Sequence, residues 1–84
     1  MTYEVKWMPK AIEGLVGIDR LIAARIGKKV GETSRSPYHF SEKLTDSDCR
    51  KIRIGDYRVI IEIIEEKKEI WILKLGHRKN IYKK

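Results

Sequence analysis

Lys51, Arg53 and Arg58 are spaced so that one β-hairpin would gather three cations on a single face. In Lys51-Ile52-Arg53-Ile54-Gly55-Asp56-Tyr57-Arg58-Val59-Ile60 the side chains alternate between the two faces of each strand. Gly55-Asp56 reads as a two-residue loop, with glycine at the first central position of a type II′ turn. That turn sets the register: Ile54 opposite Tyr57, Arg53 opposite Arg58, Ile52 opposite Val59 and Lys51 opposite Ile60. Directly opposed residues share a face, so Ile52, Ile54, Tyr57, Val59, Ile61 and Ile63 form a core face and the three cations form the other. Like charges opposed on a sheet destabilise it, and an anionic ligand would offset that cost. Gly76-His77-Arg78-Lys79-Asn80-Ile81-Tyr82 leaves a later strand and adds Arg78, His77 and Tyr82, completing a cationic cluster with a phenol and no carboxylate partner. Fixed guanidinium and ammonium groups suit one task well, which is to stabilise a phosphate whose transition state carries more, and more dispersed, negative charge than its ground state. The substrate class this chemistry points to is RNA or another phosphodiester.

Other chemistries find less support in the spacing. His39 and His77 do not stand at ligand spacing from Cys, Asp or Glu clusters and no glycine-rich phosphate loop occurs, so neither a metal nor a cofactor is expected. Nothing brings His39 to His77 as a two-histidine ribonuclease would require. Cys49 is the only cysteine, and its simplest role is a small half-buried residue at a strand entry. The net charge of +7 is unevenly placed: residues 1–48 carry eight Lys/Arg and seven Asp/Glu, whereas residues 49–84 carry eleven and five. An excess confined to the half with the hairpin suggests a field directed at a polyanion, with ordinary solubilising charge as the alternative. Each further residue has a plain reading too. Tyr82 could pack against a sheet edge, His77 could be solvated or backbone-bonded, and Arg20, Arg25, Lys28 and Lys29 could be a solvated helix surface that matters only to a large partner. Trp7 and Trp71 read as core or sheet-face residues. No apolar run approaches a membrane span and no signal-peptide pattern opens the chain, so a cytoplasmic protein without a membrane partner is expected.

The elements that must position these residues follow from periodicity. Thr2 to Met8 alternates as a strand, Pro9 suits the first turn of a short helix weakened by Gly14 and Gly17, and Asp19 caps a second helix from about Arg20 to Glu32. The second helix would turn Ile22, Ile26 and Val30 inward, with Leu21 beside them. Ser34 to Asp48 reads as an ordered loop pinned by Tyr38, Phe40 and Leu44. Strands are predicted at Arg50–Ile54, Tyr57–Ile64 and Ile70–Leu75. The register of the last hairpin stays open, because Ile70-Trp71-Ile72-Leu73 is apolar on both faces, as suits a strand inside a sheet. The expected fold class is α+β, one domain over residues 1–84: an N-terminal strand, a helical hairpin, then a three-stranded antiparallel meander, with the helices on one face of a single sheet.

The segment Arg50 to Ile60, followed by Gly76-His77-Arg78 and Tyr82, resembles the RelE/ParE superfamily of toxins from toxin–antitoxin pairs. Tyr3-Glu4-Val5-Lys6-Trp7, the helical hairpin and the Ser36-Pro37 to Lys43-Leu44 loop also sit where that family has them. In the RelE branch, the resemblance implies entry into the ribosomal decoding site and cleavage of the bound messenger RNA by 2′-hydroxyl attack, leaving a 2′,3′-cyclic phosphate. It implies Arg58 and Arg78 as phosphate clamps, Tyr82 as a residue that stacks on or orients the nucleotide, Lys51 as a proton-transfer candidate and Arg53 as the remaining cation of the catalytic set. Arg25, Lys28, Lys29, His77 and Lys79 are the expected RNA or ribosome contacts. Well-studied RelE members carry lysine where this chain has Arg53, and arginine stays protonated in proteins, so the general base is left to Lys51, Tyr82, His77 or the ribosomal RNA. The implied partners are an acidic RelB-like antitoxin, the ribosome and messenger RNA. Two alternatives remain: a ParE-type toxin that binds DNA gyrase without cutting, and an RNA-binding regulatory subunit whose activity has decayed.

Overall fold

A computed structural model describes residues 2–81. The elements are β1 (Glu4–Trp7), α1 (Pro9–Val16), α2 (Arg20–Arg35), β2 (Glu42–Lys43), β3 (Arg50–Ile54), β4 (Tyr57–Ile64), a 3₁₀ turn (Glu65–Lys67) and β5 (Glu69–His77). The strands form one sheet in the order β1-β5-β4-β3-β2, antiparallel except where β1 runs parallel to β5. The α+β architecture expected from the sequence is therefore present, but several elements differ in extent: β1 is shorter than predicted, and β5 runs on through Gly76 and His77. A two-residue strand, β2, lies inside the predicted loop and pairs Glu42 with Lys51. α2 also runs a turn further than predicted, to Arg35.

Local chemistry accounts for the boundaries. Pro9 opens α1, and the Asp19 carboxylate accepts from the Leu21 N–H at 2.8 Å, satisfying one orphan donor of α2. The far end of α2 is finished by Thr33 and Ser34, whose hydroxyls donate to the Lys29 and Gly31 carbonyls, while the Ser34 carbonyl accepts from the Tyr3 N–H at 2.8 Å. Gly14, which weakens α1 on propensity, has a packing reason: a Cβ there would stand 2.8 Å from the Leu75 carbonyl oxygen, so glycine is what lets α1 lie directly on β5.

Both helices pack on one face of the sheet, where Ile26 and Val30 of α2 and Ala11 of α1 meet Ile52, Val59, Ile61, Ile70, Ile72 and Leu75. Each fully buried isoleucine stabilises the fold by about 1.5–3 kcal/mol relative to exposure. Ile22 is half-buried at the margin of this core, but Leu21 is 76% exposed and does not join it. The predicted loop anchors differ in kind. Phe40 is half-buried beneath the Lys29 ammonium, whereas Tyr38 is held through its hydroxyl and by Arg50 over its ring.

β5 carries an irregularity that decides its facing. Tyr57 pairs with His77, Arg58 with Gly76, Val59 with Leu75 and Ile60 with Lys74, but Ile61 pairs with Ile72, leaving Leu73 as an extra residue. This bulge lets Ile72 and Leu75, three positions apart, both point into the core.

Candidate functional site

The site is built on the β3–β4 hairpin, and the register is the one the turn chemistry predicts: Arg53 opposite Arg58, Lys51 opposite Ile60 and Ile54 opposite Tyr57. Gly55 has φ +56° while Asp56 is not among the residues with positive φ, as a type II′ turn requires. Ile52, Ile54 and Val59 are buried beneath the helices, so Lys51, Arg53 and Arg58 lie on the opposite face.

Within that face the three cations differ. Arg53 is exposed and Lys51 half-buried, and among the described residues neither makes an ion pair. Arg58 is only 9% exposed, and its Nη1 donates to the Gly55 and Tyr57 carbonyls, both at 2.9 Å. It lies on the polar face that the alternation predicts, yet is buried there as a strut of the turn. Two of its five N–H donors are spent on the hairpin, leaving those on Nε and Nη2 for a ligand.

Arg78 arrives from the turn after β5. Its N–H donates to the Asp56 carbonyl at 2.7 Å, and its Nε lies 3.7 Å from Asp56 Oδ1. The Gly55-Asp56 turn therefore fixes both arginines, Arg58 through the Gly55 carbonyl and Arg78 through Asp56. The cluster does have a carboxylate neighbour, which sequence spacing did not show. Tyr82 lies outside the described residues. His77 sits on the helix-side face, pairing edge-on with the Tyr57 ring at 5.5 Å between centroids, and so does not join Lys51, Arg53 and Arg58. Its Nδ1 accepts from the N–H of Lys79, whose side chain is exposed.

The α2 cations reach the same end of the molecule from the other side. Arg25, Lys28 and Lys29 line a hollow of about 350 Å³ together with Arg53 and Gly55, so Arg53 joins the helix cations to the hairpin cations. Lys29 is partly engaged there, 3.7 Å from Glu32. Lys74 is a further cation that sequence reading missed. The bulge at Leu73 places it opposite Ile60, which itself opposes Lys51, so Lys51, Ile60 and Lys74 form one rung beside that of Arg53, Arg58 and Gly76. No sequence signal announces the bulge.

Comparisons with known proteins agree with this architecture. The family model described as ParE toxin of type II toxin–antitoxin system, parDE, matches residues 5–82. A RelE-like toxin protein of Escherichia coli is 28% identical over 81 residues, covering 93% of this chain and 85% of that protein. Among solved structures, the RelBE2 toxin–antitoxin complex of Mycobacterium tuberculosis superposes with a TM-score of 0.87 at 25% identity, covering 95% of each chain. The archaeal RelE–RelB complex of Pyrococcus horikoshii does so with a TM-score of 0.77 at 30% identity, covering 95% of this chain and 99% of that one. The chain belongs to the ParE toxin family of type II toxin–antitoxin systems, within the RelE/ParE superfamily. Its relatives and structural neighbours stand on the RelE side of that superfamily.

Proposed function

We propose that this toxin is a ribosome-dependent endoribonuclease that cuts messenger RNA in the decoding site. The observation that carries the reading is the pair of arginines locked to one turn, with Lys51 and Arg53 beside them and free of ion pairs among the described residues. In the cleavage step the 2′-oxygen forms a bond to phosphorus and the bond from phosphorus to the 5′-oxygen breaks. The products are a 2′,3′-cyclic phosphate and a 5′-hydroxyl, the 2′-hydroxyl giving up one proton as it attacks and the leaving 5′-oxygen taking up one. Arg58 and Arg78 would hold the non-bridging oxygens and stabilise the charge that develops there, a contribution worth roughly 10²–10³ in rate per donor. Arg53 stays protonated, and Lys51 is an amine on the same face that would exchange a proton. General acid–base catalysis adds about 10²–10⁴ where it is well placed. With that component weak, positioning of the 2′-hydroxyl in line by the ribosome has to supply the rest.

Primer extension on messenger RNA in purified translating ribosomes tests the reading. Added protein should produce cuts within the codon in the decoding site and leave the same RNA intact when naked. Rapid cutting of naked RNA would show that the ribosome is not required. A second reading, a toxin that binds DNA gyrase and cuts nothing, is favoured by the match to the ParE family model. Inhibited supercoiling with uncut messenger RNA would establish it.

An acidic RelB-like antitoxin is the proposed partner, supported by net charge +7 and by structural neighbours solved as toxin–antitoxin complexes. Its interface should exceed the ~1,600 Å² of a standard complex and cover or rearrange the site at Arg58 and Arg78. A structure of the pair with a small contact remote from both arginines would refute this.

A further inference from the structure

Beside the cationic rungs lies a second hollow, about 320 Å³, walled by Leu44, Cys49, Ile60, Leu73, Lys74 and Ile81. It opens on the face of Lys51 and Arg58, because Cys49 stands two residues before Lys51 on the chain entering β3 and Ile60 two residues after Arg58 on β4, and residues two apart share a face. Its volume is at the small end for ligand sites, enough for one planar group rather than a large molecule. Mostly apolar walls, with the Ser47 hydroxyl and the Lys74 ammonium among the lining, suit a nucleobase, which offers flat apolar faces and polar edges and is tethered to a phosphate. Lys74 makes no ion pair among the described residues. The bulge at Leu73 is what turns it to this face, and bulges recur next to functional sites because they re-aim a side chain.

We infer that this hollow is a base subsite for the nucleotide flanking the scissile phosphate, with Lys74 on that nucleotide's own phosphate. The inference rests on the reading of the chain as an RNA-cleaving toxin, and it adds a source of sequence preference. An RNA occupant is favoured over an apolar side chain of a protein partner because a nucleobase brings its own tethered phosphate, and the lining pairs apolar wall with the Lys74 ammonium to meet both.

The only thiol in the chain reports on occupancy, since Cys49 is half-buried in the wall of the hollow. The rate of its alkylation by iodoacetamide is measured with a 2′-O-methyl RNA tetranucleotide, which cannot be cleaved, with its abasic counterpart, with inorganic phosphate, and with an acidic leucine-containing peptide. At ~1 mM tetranucleotide and a Kd of about 10⁻⁴ M, alkylation should slow about ten-fold. The abasic strand and phosphate should leave the rate unchanged. Lys74→Ala, with thermal unfolding checked on the same preparation, should raise the concentration for half-protection. It should also lower the salt slope of binding by about 0.7, the loss of one phosphate contact on a single strand. Unprotected Cys49 at ~1 mM tetranucleotide overturns the subsite, as does equal protection by the abasic strand. Protection by the peptide alone assigns the hollow to a protein partner and also overturns it. A salt slope unchanged in Lys74→Ala removes Lys74. Cleavage on translating ribosomes is scored separately and can survive every one of these failures.

Discussion

The two ends of the sheet handle charge in opposite ways. At the end where β4 passes into β5, Glu65 accepts from the Tyr3 hydroxyl at 2.6 Å, from the Tyr38 hydroxyl at 3.1 Å and from the Lys68 ammonium at 2.6 Å. Arg50 is tied nearby to the Ser41 hydroxyl and carbonyl. These bonds join the N-terminal strand, the loop after α2 and the 3₁₀ turn into a clasp. At the hairpin end, Lys51 and Arg53 have no ion pair among the described residues, and Arg58 is held by backbone carbonyls that leave its charge uncompensated. One end uses its charges to close the fold. The other spends backbone hydrogen bonds to hold cations in place, which is the arrangement a polyanion needs to find ready-made.

Substitution of Arg58 should break this contrast most severely. Arg58→Ala is expected to lower ribosome-dependent cleavage by around 10²-fold or more, through loss of a charge donor in the transition state. Relief of the like-charge contact with Arg53 would by itself leave stability unchanged or raised. The structure reverses that expectation. Removing the guanidinium strips two hydrogen bonds from the turn, so stability should fall by about 1–2 kcal/mol. Thermal unfolding and single-turnover cleavage measured on one preparation separate the two effects. A well-folded Arg58→Ala protein with undiminished cleavage would take Arg58 out of the site.

The mirror experiment is Glu65→Gln, which should lower the melting temperature and leave cleavage per folded molecule intact. Its pH dependence sharpens the comparison. The hydrogen bonds from Lys68, Tyr3 and Tyr38 hold the Glu65 carboxyl at about 2, below its ordinary 4.5. A depressed carboxyl stabilises the fold fully above its unfolded value, and that stabilisation is lost as pH falls from about 4.5 toward 2. Tyr3 and Lys68 are raised chiefly by their bonds to Glu65, and Tyr38 by desolvation and then by Glu65. Groups raised on folding stabilise below their unfolded values, so this share of stability is lost above about pH 10. The clasp is exposed and solvent-screened, which keeps both effects modest and makes them shrink further in high salt. In Glu65→Gln the acid-side loss should flatten. An unchanged acid limb would mean that Glu65 does not govern it.

Asp56→Asn should have the smallest effect. The Arg78 N–H keeps its bond to the residue 56 carbonyl, and only the exposed carboxylate contact at 3.7 Å is removed. Exposed ion pairs contribute about 0.2–1 kcal/mol, so cleavage should change by a few-fold at most. A loss as large as that of Arg58→Ala would make Asp56 a participant in the chemistry rather than a support for Arg78.

What the sequence determined by itself was local. Strand alternation has a period of two and a glycine loop of two residues allows few turns, so the hairpin register and the shared face of Lys51, Arg53 and Arg58 could be read directly. Pro9 and Asp19 announced their helices for the same reason, because caps act within one turn. The tertiary structure alone decided which backbone groups Arg58 could reach, that Asp56 meets Arg78, that His77 faces the helices, and that Leu73 bulges to swing Lys74 onto the cationic face. Ile70 to Leu73 is apolar on both faces, so no alternation fixed its register. Only the packing of Ile72 and Leu75 beneath α1 and α2 could choose it, and that choice depends on contacts between residues far apart in the chain.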